Sequence, residues 1–481
     1  MAMDDTRSVK KFKDSETPLE EGRVKLEAKV IELDDLIKAH LDCMANLTNR
    51  GVAVKRQLNA QVPFARLPIE IVTIIFHLAC SAEYEPFSPL RIGSICHHWR
   101  TIAWSASELW SSVAVGLEVS REATKKQEDL LSDWLLRARK QPLSITIAIR
   151  EEHDPRWDDP PAYNSVLSLL LAYSEQWRSA DIDTPSTLLH LLPDWLNAPI
   201  LERLTLRCDL EGYSDFPVIV CAPRLHSVTL VGLYRMHPVM LPWSQVKTLH
   251  IEGYGMQDYL DNLKQCPSLV NLVLNEQDFR GRESTLLTVV KLGSLKSLHV
   301  TAHGENCLML DRLSTPHLED FDVFFPEINQ DSFNSLRTLV SRSGCAESIT
   351  RFCFVSYIFS EEEMVSFLLG LPHLSELVLY NSKHAPPFSG IFIDALHSRG
   401  GSADPEGFVL PNLKLVHYTG PIMLDIDGFL AMLDARYTSA SKAAKLEAVS
   451  IHGYDQDVKN ISDLPQVRML QAQGMVVDDV A

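Results

Sequence analysis

The sequence contains no apolar run long enough to span a bilayer. Its longest apolar stretch, Ile69 to Cys80, is broken by Glu70, Thr73 and His77, whereas a spanning helix needs about 20 apolar residues in succession. A secretory leader is not visible either: residues 1–23 carry Asp4, Asp5, Arg7, Lys10, Lys11 and Lys13 and no apolar core. The nine cysteines include no Cys-x-x-Cys pair, which excludes the common zinc and redox spacings and fits free thiols in a reducing compartment. Positive charge is in deficit, with 45 Lys and Arg against 63 Asp and Glu and a net charge of −18. So acidic a surface repels phosphate backbones and argues against general nucleic-acid binding. Catalytic signatures are missing too. There is no GxxxxGK[ST] phosphate loop, no GxGxxG, no HExxH and no GxSxG, so no catalytic residue, cofactor or metal is expected. His97 and His98 are adjacent, and neighbours on a helix point about 100° apart, too far to chelate one ion well. These absences predict a non-enzymatic, intracellular chain, cytoplasmic or nuclear, that works by binding, with neither membrane nor nucleic acid among its partners.

What is present is an ordinary globular composition, 46% hydrophobic and 22% charged, over 481 residues. That length exceeds one hydrophobic core, so several domains or an elongated array are expected. Residues 1–22 are polar and are expected to be disordered. Residues 23–51 form a predicted helix in which Leu26, Val30, Leu33, Ile37, His40, Met44 and Leu47 alternate steps of four and three, a coiled-coil-like seam. Gly51 is expected to end it. Three heptads are marginal on their own, so the stripe is expected to pack on the rest of the chain, with weak self-association as the alternative.

Residues 62–113 begin a second kind of pattern. Leu67-Pro68 leads an apolar helix containing Ile71, Ile74, Ile75 and Leu78, and proline suits a first helical turn because its missing amide has no intrahelical acceptor there. A loop with Pro86 and Pro89 follows, then Ile92, Ile95, Cys96, Trp99 and Ile102 at helical spacing, closed by Leu109-Trp110. The string LPIEIVTIIFHLAC, then RIGSICHHWRTIAW, then ELW, resembles the F-box: a Leu-Pro-x-Glu-Ile start, an Ile-Phe, a Cys-x-x-Trp-Arg and a trailing Leu-Trp. With the helix before it and the divergent repeats after it, the chain is similar to the large fungal F-box families.

Beyond it, residues 120–140 read as a helix with Leu130, Leu131, Trp134 and Leu135 on its apolar side, and LSITIAI from Leu143 reads as a strand. One phrase then recurs, apolar-x-x-apolar-x-apolar: LERLTL from Leu201, LHSVTL from Leu225, VKTLHI from Val246, LVNLVL from Leu269 and LKSLHV from Leu295. LEDFDV, ITRFCF, LSELVL, LKLVHY and LEAVSI continue it from Leu318, Ile349, Leu374, Leu413 and Leu446, with WRSADI from Trp177 as a degenerate first copy. The first five intervals run from 21 to 26 residues and later ones reach 39; the early spacing fits leucine-rich repeats. Pro stands two residues before most copies. One strand cannot bury its apolar face alone, but stacked copies share a core. Helical patterns fall between copies at 284–292, 361–369 and 427–437, with Ser360 and Glu363 as a capping box, and 383–409 reads as a loop. The Asn or Cys that leucine-rich repeats carry after the phrase is replaced, for example by Asp209, Leu233, Tyr254 and Gln277, so an irregular solenoid is expected.

The expected fold is therefore an α/β solenoid: a helical F-box over 62–113, an array over 120–455 with parallel strands on its concave side, and a tail over 456–481. The resemblance implies docking onto the Skp-type adaptor of a cullin–RING ubiquitin ligase through Leu67, Pro68, Ile71, Ile75, Cys96 and Trp99. The array would hold an unknown protein substrate; a protein-binding scaffold outside any ligase is the alternative. Because a strand with one buried face presents its other face outward, the substrate footprint is expected on the interleaved residues. These are Arg203, Arg207, His250, Glu252, Asn271 and His299 in the earlier copies, and Asp320, Asp322, Arg351, Glu376, Tyr380 and His417 in the later ones.

Overall fold

The computed structural model describes residues 8–80, 88–117, 121–149, 161–184, 195–208, 219–232, 240–253, 256–276, 288–302, 309–325, 330–356, 359–385, 387–388, 390–397, 410–423, 425–438, 444–453 and 464–478. The chain divides into two units, Met1–Trp110 and Ser111–Ala481.

The first unit is helical. Helix α1 runs Ser8–Asn59, α2 Ile69–Cys80, α3 Pro89–Ile95 and α4 His97–Ser105, with a 3-10 turn at Ser107–Trp110. Three expectations fail in α1. It begins at Ser8 instead of after a disordered 1–22, and it passes through Gly51 for two further turns. An interior glycine costs only about 1 kcal/mol, which the flanking Asn49-Arg50 and Val52–Gln57 do not turn into a break. The seam is not packed away either: Leu26, Val30, Leu33, Ile37, Met44 and Leu47 are all exposed.

Short-range bonding explains the rest of this unit. The Pro68 carbonyl accepts from the amides of Ile71 and Val72, each at 3.1 Å, and so starts α2. Ser88 caps α3, accepting from Arg91 N at 3.2 Å, with Pro89 in the first turn. Cys96 caps α4 through Sγ, accepting from Trp99 N at 3.5 Å, which is why Cys and Trp stand three apart. The Trp99 ring packs 4.8 Å from Phe64 and 5.0 Å from Phe76. Gly93 lies flat against the Trp104 ring, where a Cβ would come within 1.9 Å of it. Buried Trp110 donates Nε1–H to the Ala103 carbonyl at 2.7 Å.

The second unit is mixed α/β and built on one long parallel sheet. Strands β1 (Ser112–Leu117), β2 (Leu143–Ile149) and β3 (Trp177–Asp183) open it. A short β4 (Trp195–Asn197) precedes β5 (Arg203–Arg207), and a short β6 (Ile219–Cys221) precedes β7 (Ser227–Val231) and β8 (Thr248–Glu252). Then come β9 (Asn271–Glu276), β10 (Val290–Lys291), β11 (Ser297–Ala302), β12 (Leu313–Ser314) and β13 (Asp320–Phe325). Strands β14 (Arg351–Ser356), β15 (Glu376–Asn381), β16 (Leu415–Gly420), β17 (Ala448–Gly453) and β18 (Val476–Asp478) complete the described set. Fourteen of them form the main sheet in chain order; β4 pairs with β6 and β10 with β12 in two small sheets.

Every recurring phrase became a strand of the main sheet, and the phrases align with one another. Leu204, Val228, Leu249, Leu272 and Leu298 are register partners in succession, as are Phe321, Phe352, Leu377, Val416 and Val449. All ten are buried. The prolines have a local cause. Each lies at the second position of a tight turn closed from the phrase's first Leu: Leu225 N to Ala222 O at 3.1 Å, Leu269 N to Cys266 O at 3.3 Å, Leu318 N to Thr315 O at 3.3 Å and Leu374 N to Leu371 O at 3.2 Å. That position needs no amide and favours proline's fixed φ.

Helices α5 (Arg121–Ala138), α6 (Pro161–Leu171), α7 (Met256–Leu263), α8 (Gln330–Ser343), α9 (Glu361–Leu368), α10 (Gly390–His397), α11 (Ile426–Thr438) and α12 (Pro465–Ala472) connect the strands. Several cover the apolar face of the sheet. Phe333 of α8 stacks on Phe354, and Phe367 of α9 lies 5.1 Å from Phe352. Helices α10 and α11 meet β16 and β17 around Phe392, Phe429, Tyr418 and Val449.

The helices at 361–369 and 427–437 are where the patterns put them. Ser360 caps α9, but Glu363 does not reach back; its carboxylate pairs with Arg337, so the box is half formed. Of the pattern at 284–292, residues 284–287 lie outside the described residues; the described end is not helical and contributes Val290–Lys291 to a strand, as its β-branched valines favour. The sheet starts at Ser112, not at 120, and the expected tail at 456–481 supplies α12 and β18. The expected loop at 383–409 contains α10. Asp209, Leu233, Tyr254 and Gln277 lie outside the described residues.

Polar side chains close the turns of the later copies. Arg436, 2% exposed, donates Nε–H to Leu396 O at 2.8 Å and an Nη–H to Leu410 O at 3.0 Å, tying both sides of the longest insertion. Burial lowers its pKa to about 10. Arg342 does the same for the Leu310 and Leu313 carbonyls, and Ser343 Oγ accepts from Thr315 N at 2.8 Å.

Candidate functional site

Two surfaces gather the residues singled out by the sequence. The first is on α2. Only Val72 and Phe76 of this helix are buried. Leu67, Pro68, Ile71 and Ile75 are exposed on the surface of the unit. Cys96 and Trp99, grouped with them in the sequence, are half-buried and serve the unit's own structure as helix cap and as a member of the Phe64–Trp99–Phe76 ring cluster. The sequence reasoning gave no surface role to Ile69, Ile74, Leu78 and Ile95, which are exposed at 51%, 54%, 65% and 56%. The signal was available: a helix apolar on every side, in a unit too small to bury all of them, leaves apolar surface for something else.

The second surface is the uncovered face of the long sheet. Val273, His299, Asp322, Cys353, Val378, His417 and Ser450 form one transverse row in register. Ser297, Asp320, Arg351 and Glu376 form the row on one side of it. Arg203, Arg207, Asn271 and Tyr380 are exposed, and His250, Glu252, His299, Asp320, Asp322, Arg351, Glu376 and His417 are half-buried. All twelve residues expected on an outward face are therefore on it.

Their charges are largely satisfied within the face. Arg351 bridges Asp320 at 2.7 Å and Glu376 at 3.0 Å; burial works against its charge, and the hydrogen bonds to the two carboxylates more than offset that. His299 Nδ1 stands 3.0 Å from Asp322 Oδ2. Burial would raise the Asp322 carboxyl, but hydrogen bonds from His299 and Cys353 hold it below its ordinary value. Arg207 pairs at 2.6 Å with Asp181, a residue the degenerate first phrase had hidden. Asn275 donates to Glu252 at 3.2 Å and touches His250 at 3.3 Å. Burial, opposed by Glu252, lowers the pKa of His250. Tyr380, His417 and His452 form a row of tilted rings across three strands, with centroids 5.1 and 5.0 Å apart.

Chemically, this face is a paired polar surface. Its most buried nucleophile, Cys353, is 6% exposed, and burial with the adjacent Asp322 carboxylate pushes its pKa up to about 12, which keeps the thiol protonated and inert at neutral pH. Among the described residues, no three His, Cys, Asp or Glu side chains converge as a metal ion requires, and no helix is long and apolar enough to cross a membrane. No family model matches the chain, and no curated protein matches it.

Proposed function

We propose that this chain is the substrate-recognition subunit of a Skp–cullin–F-box ubiquitin ligase. The observation that carries the reading is the exposed apolar surface at the start of α2 and along it: Leu67, Pro68, Ile71 and Ile75, the residues that the F-box resemblance assigns to the adaptor, stand at the surface with Ile74 and Leu78 beside them. An apolar face of this kind on a small unit marks a protein interface. Docking there tethers the long sheet to the ligase, and the leucine-rich-repeat-like array holds a protein substrate on its open face. The receptor then acts by proximity alone, raising the effective concentration of substrate lysines near the ubiquitin-charged partner.

The paired charges refine the substrate. A partner that seeks isolated charges would have to break Arg351 from Asp320 and Glu376, so recognition through matched polar groups and the Tyr380–His417–His452 ring row fits better.

Adaptor capture by the full chain tests the first half. Leu67→Ala with Pro68→Ala should reduce binding of a Skp-type adaptor at least tenfold and leave the far-UV circular dichroism of the sheet unchanged; undiminished capture would sink the assignment.

A further inference from the structure

Helix α1 carries an uncovered apolar seam longer than the sequence pattern alone suggested. Past Met44 and Leu47, the beat of four and three skips one layer at Gly51 and resumes at Val54 and Leu58. In heptad terms Val30, Ile37, Met44 and Leu58 hold one core position, and Leu26, Leu33, Leu47 and Val54 the other. All eight are between 51% and 67% exposed. A side chain of this kind offers on the order of 100 Å² of apolar surface, so two copies meeting along the seam would bury about 1,600 Å², the size of a standard stable interface.

We propose that α1 pairs with α1 of a second copy of this chain as an antiparallel two-stranded coiled coil centred near Asp42. The weak layers decide the orientation. Side by side in parallel, His40 would face His40 and Gly51 would face Gly51, leaving one polar layer and one hole. Arg50 would also lie beside Lys55 of the other copy, since the flanking residues of parallel coils meet five positions apart. Antiparallel pairing about residue 42 sets Gly51 against Leu33, His40 against Met44, Ile37 against Leu47 and Leu26 against Leu58, so every weak layer meets a large side chain. Leu41 packs across the centre against its own copy. Lys55 falls on the same flank as Glu27 and Asp34 of the second copy and between them, an attractive arrangement. Glu27 already pairs with Arg23 at 3.2 Å along its own helix, which leaves a carboxylate oxygen for Lys55. This pairing needs no adaptor and does not depend on the proposed ligase role.

Light scattering on the full chain should give twice the 54.1 kDa chain mass. Ile37→Glu with Leu47→Glu, two exposed positions that face each other in the pair, should give a folded monomer whose adaptor capture matches the parent. His40→Leu should tighten the dimer about tenfold, because a polar core layer costs stability. For orientation, in a Cys43→Ser background, copies carrying Leu26→Cys should disulfide-link to copies carrying Leu58→Cys and not to themselves. A monomeric parent, a double-Glu variant that remains dimeric, or Leu26→Cys linking to itself each overturns the proposal.

Discussion

The helical unit and the sheet unit treat the same kind of residue in opposite ways. Ile71, Ile74 and Ile75 in α2 are 38% to 54% exposed, whereas Ile349, Leu374 and Leu413, which begin three of the recurring phrases, are 0% exposed. The cause is stacking. Each phrase presents two or three apolar residues to one face, and the neighbouring phrases and the helices beneath leave none of them in water. The helical unit has more apolar side chains than its few helices enclose, and the surplus lies outward on α1 and α2. In the recurring phrases, then, the apolar residues are taken up by the core, whereas on α1 and α2 many of them remain at the surface.

That contrast can be broken where it is strongest. Phe354 lies among Phe325, Phe333, Phe352 and Phe359, and Phe354→Ala should cost about 3–5 kcal/mol of stability in urea denaturation. A loss of less than about 1 kcal/mol would mean the sheet core is not the packed body described. Arg436→Met removes both donors from the Leu396 and Leu410 carbonyls and should cost about 2–3 kcal/mol, because buried acceptors left unpaired lose their full hydrogen bonds.

The polar face should respond more weakly. Asp322 is partly exposed, and Asp322→Asn should cost no more than about 1 kcal/mol. Its folded carboxyl ionises more readily than the ordinary one near 3.9, so its contribution is present above about pH 4 and is lost as the pH falls through the folded value. The Asn variant should lack that acid limb in pH-dependent unfolding. Smallest of all, Ile74→Ser on the exposed side of α2 should leave stability within about 0.5 kcal/mol. If it destabilises the unit as a core substitution would, the division between the two regions fails.

The strand phrases were legible because a period of two with one buried face is local information. LERLTL, LVNLVL and LSELVL each name their own buried residues, and the Pro turn before the phrase names its own start. The helix DGFLAMLDARY was legible for the same reason at a period of 3.6. The candidate sites were legible only in part. Family spacing grouped Cys96 and Trp99 with Leu67 and Ile71, but spacing does not say which side of a helix faces water; the Cys96 cap and the Phe64–Trp99–Phe76 ring cluster separate them. On the sheet, alternation placed Arg351, Asp320 and Glu376 on one face. It could not tell that partners 31 and 25 residues away, Asp320 and Glu376, come to 2.7 and 3.0 Å of Arg351.

By itself, then, the sequence determined β2, the strands of the recurring phrases with their buried faces, and the apolar character of α2 and of the α1 seam, all set by local side-chain patterns. Tertiary structure decided what depends on distant neighbours. It set the common register of fourteen strands and recruited 465–478 into the sheet through α12 and β18. It paired the charges on the open face and left the α1 seam uncovered. Each of these is a contact energy between segments far apart in the chain, and no local propensity contains it.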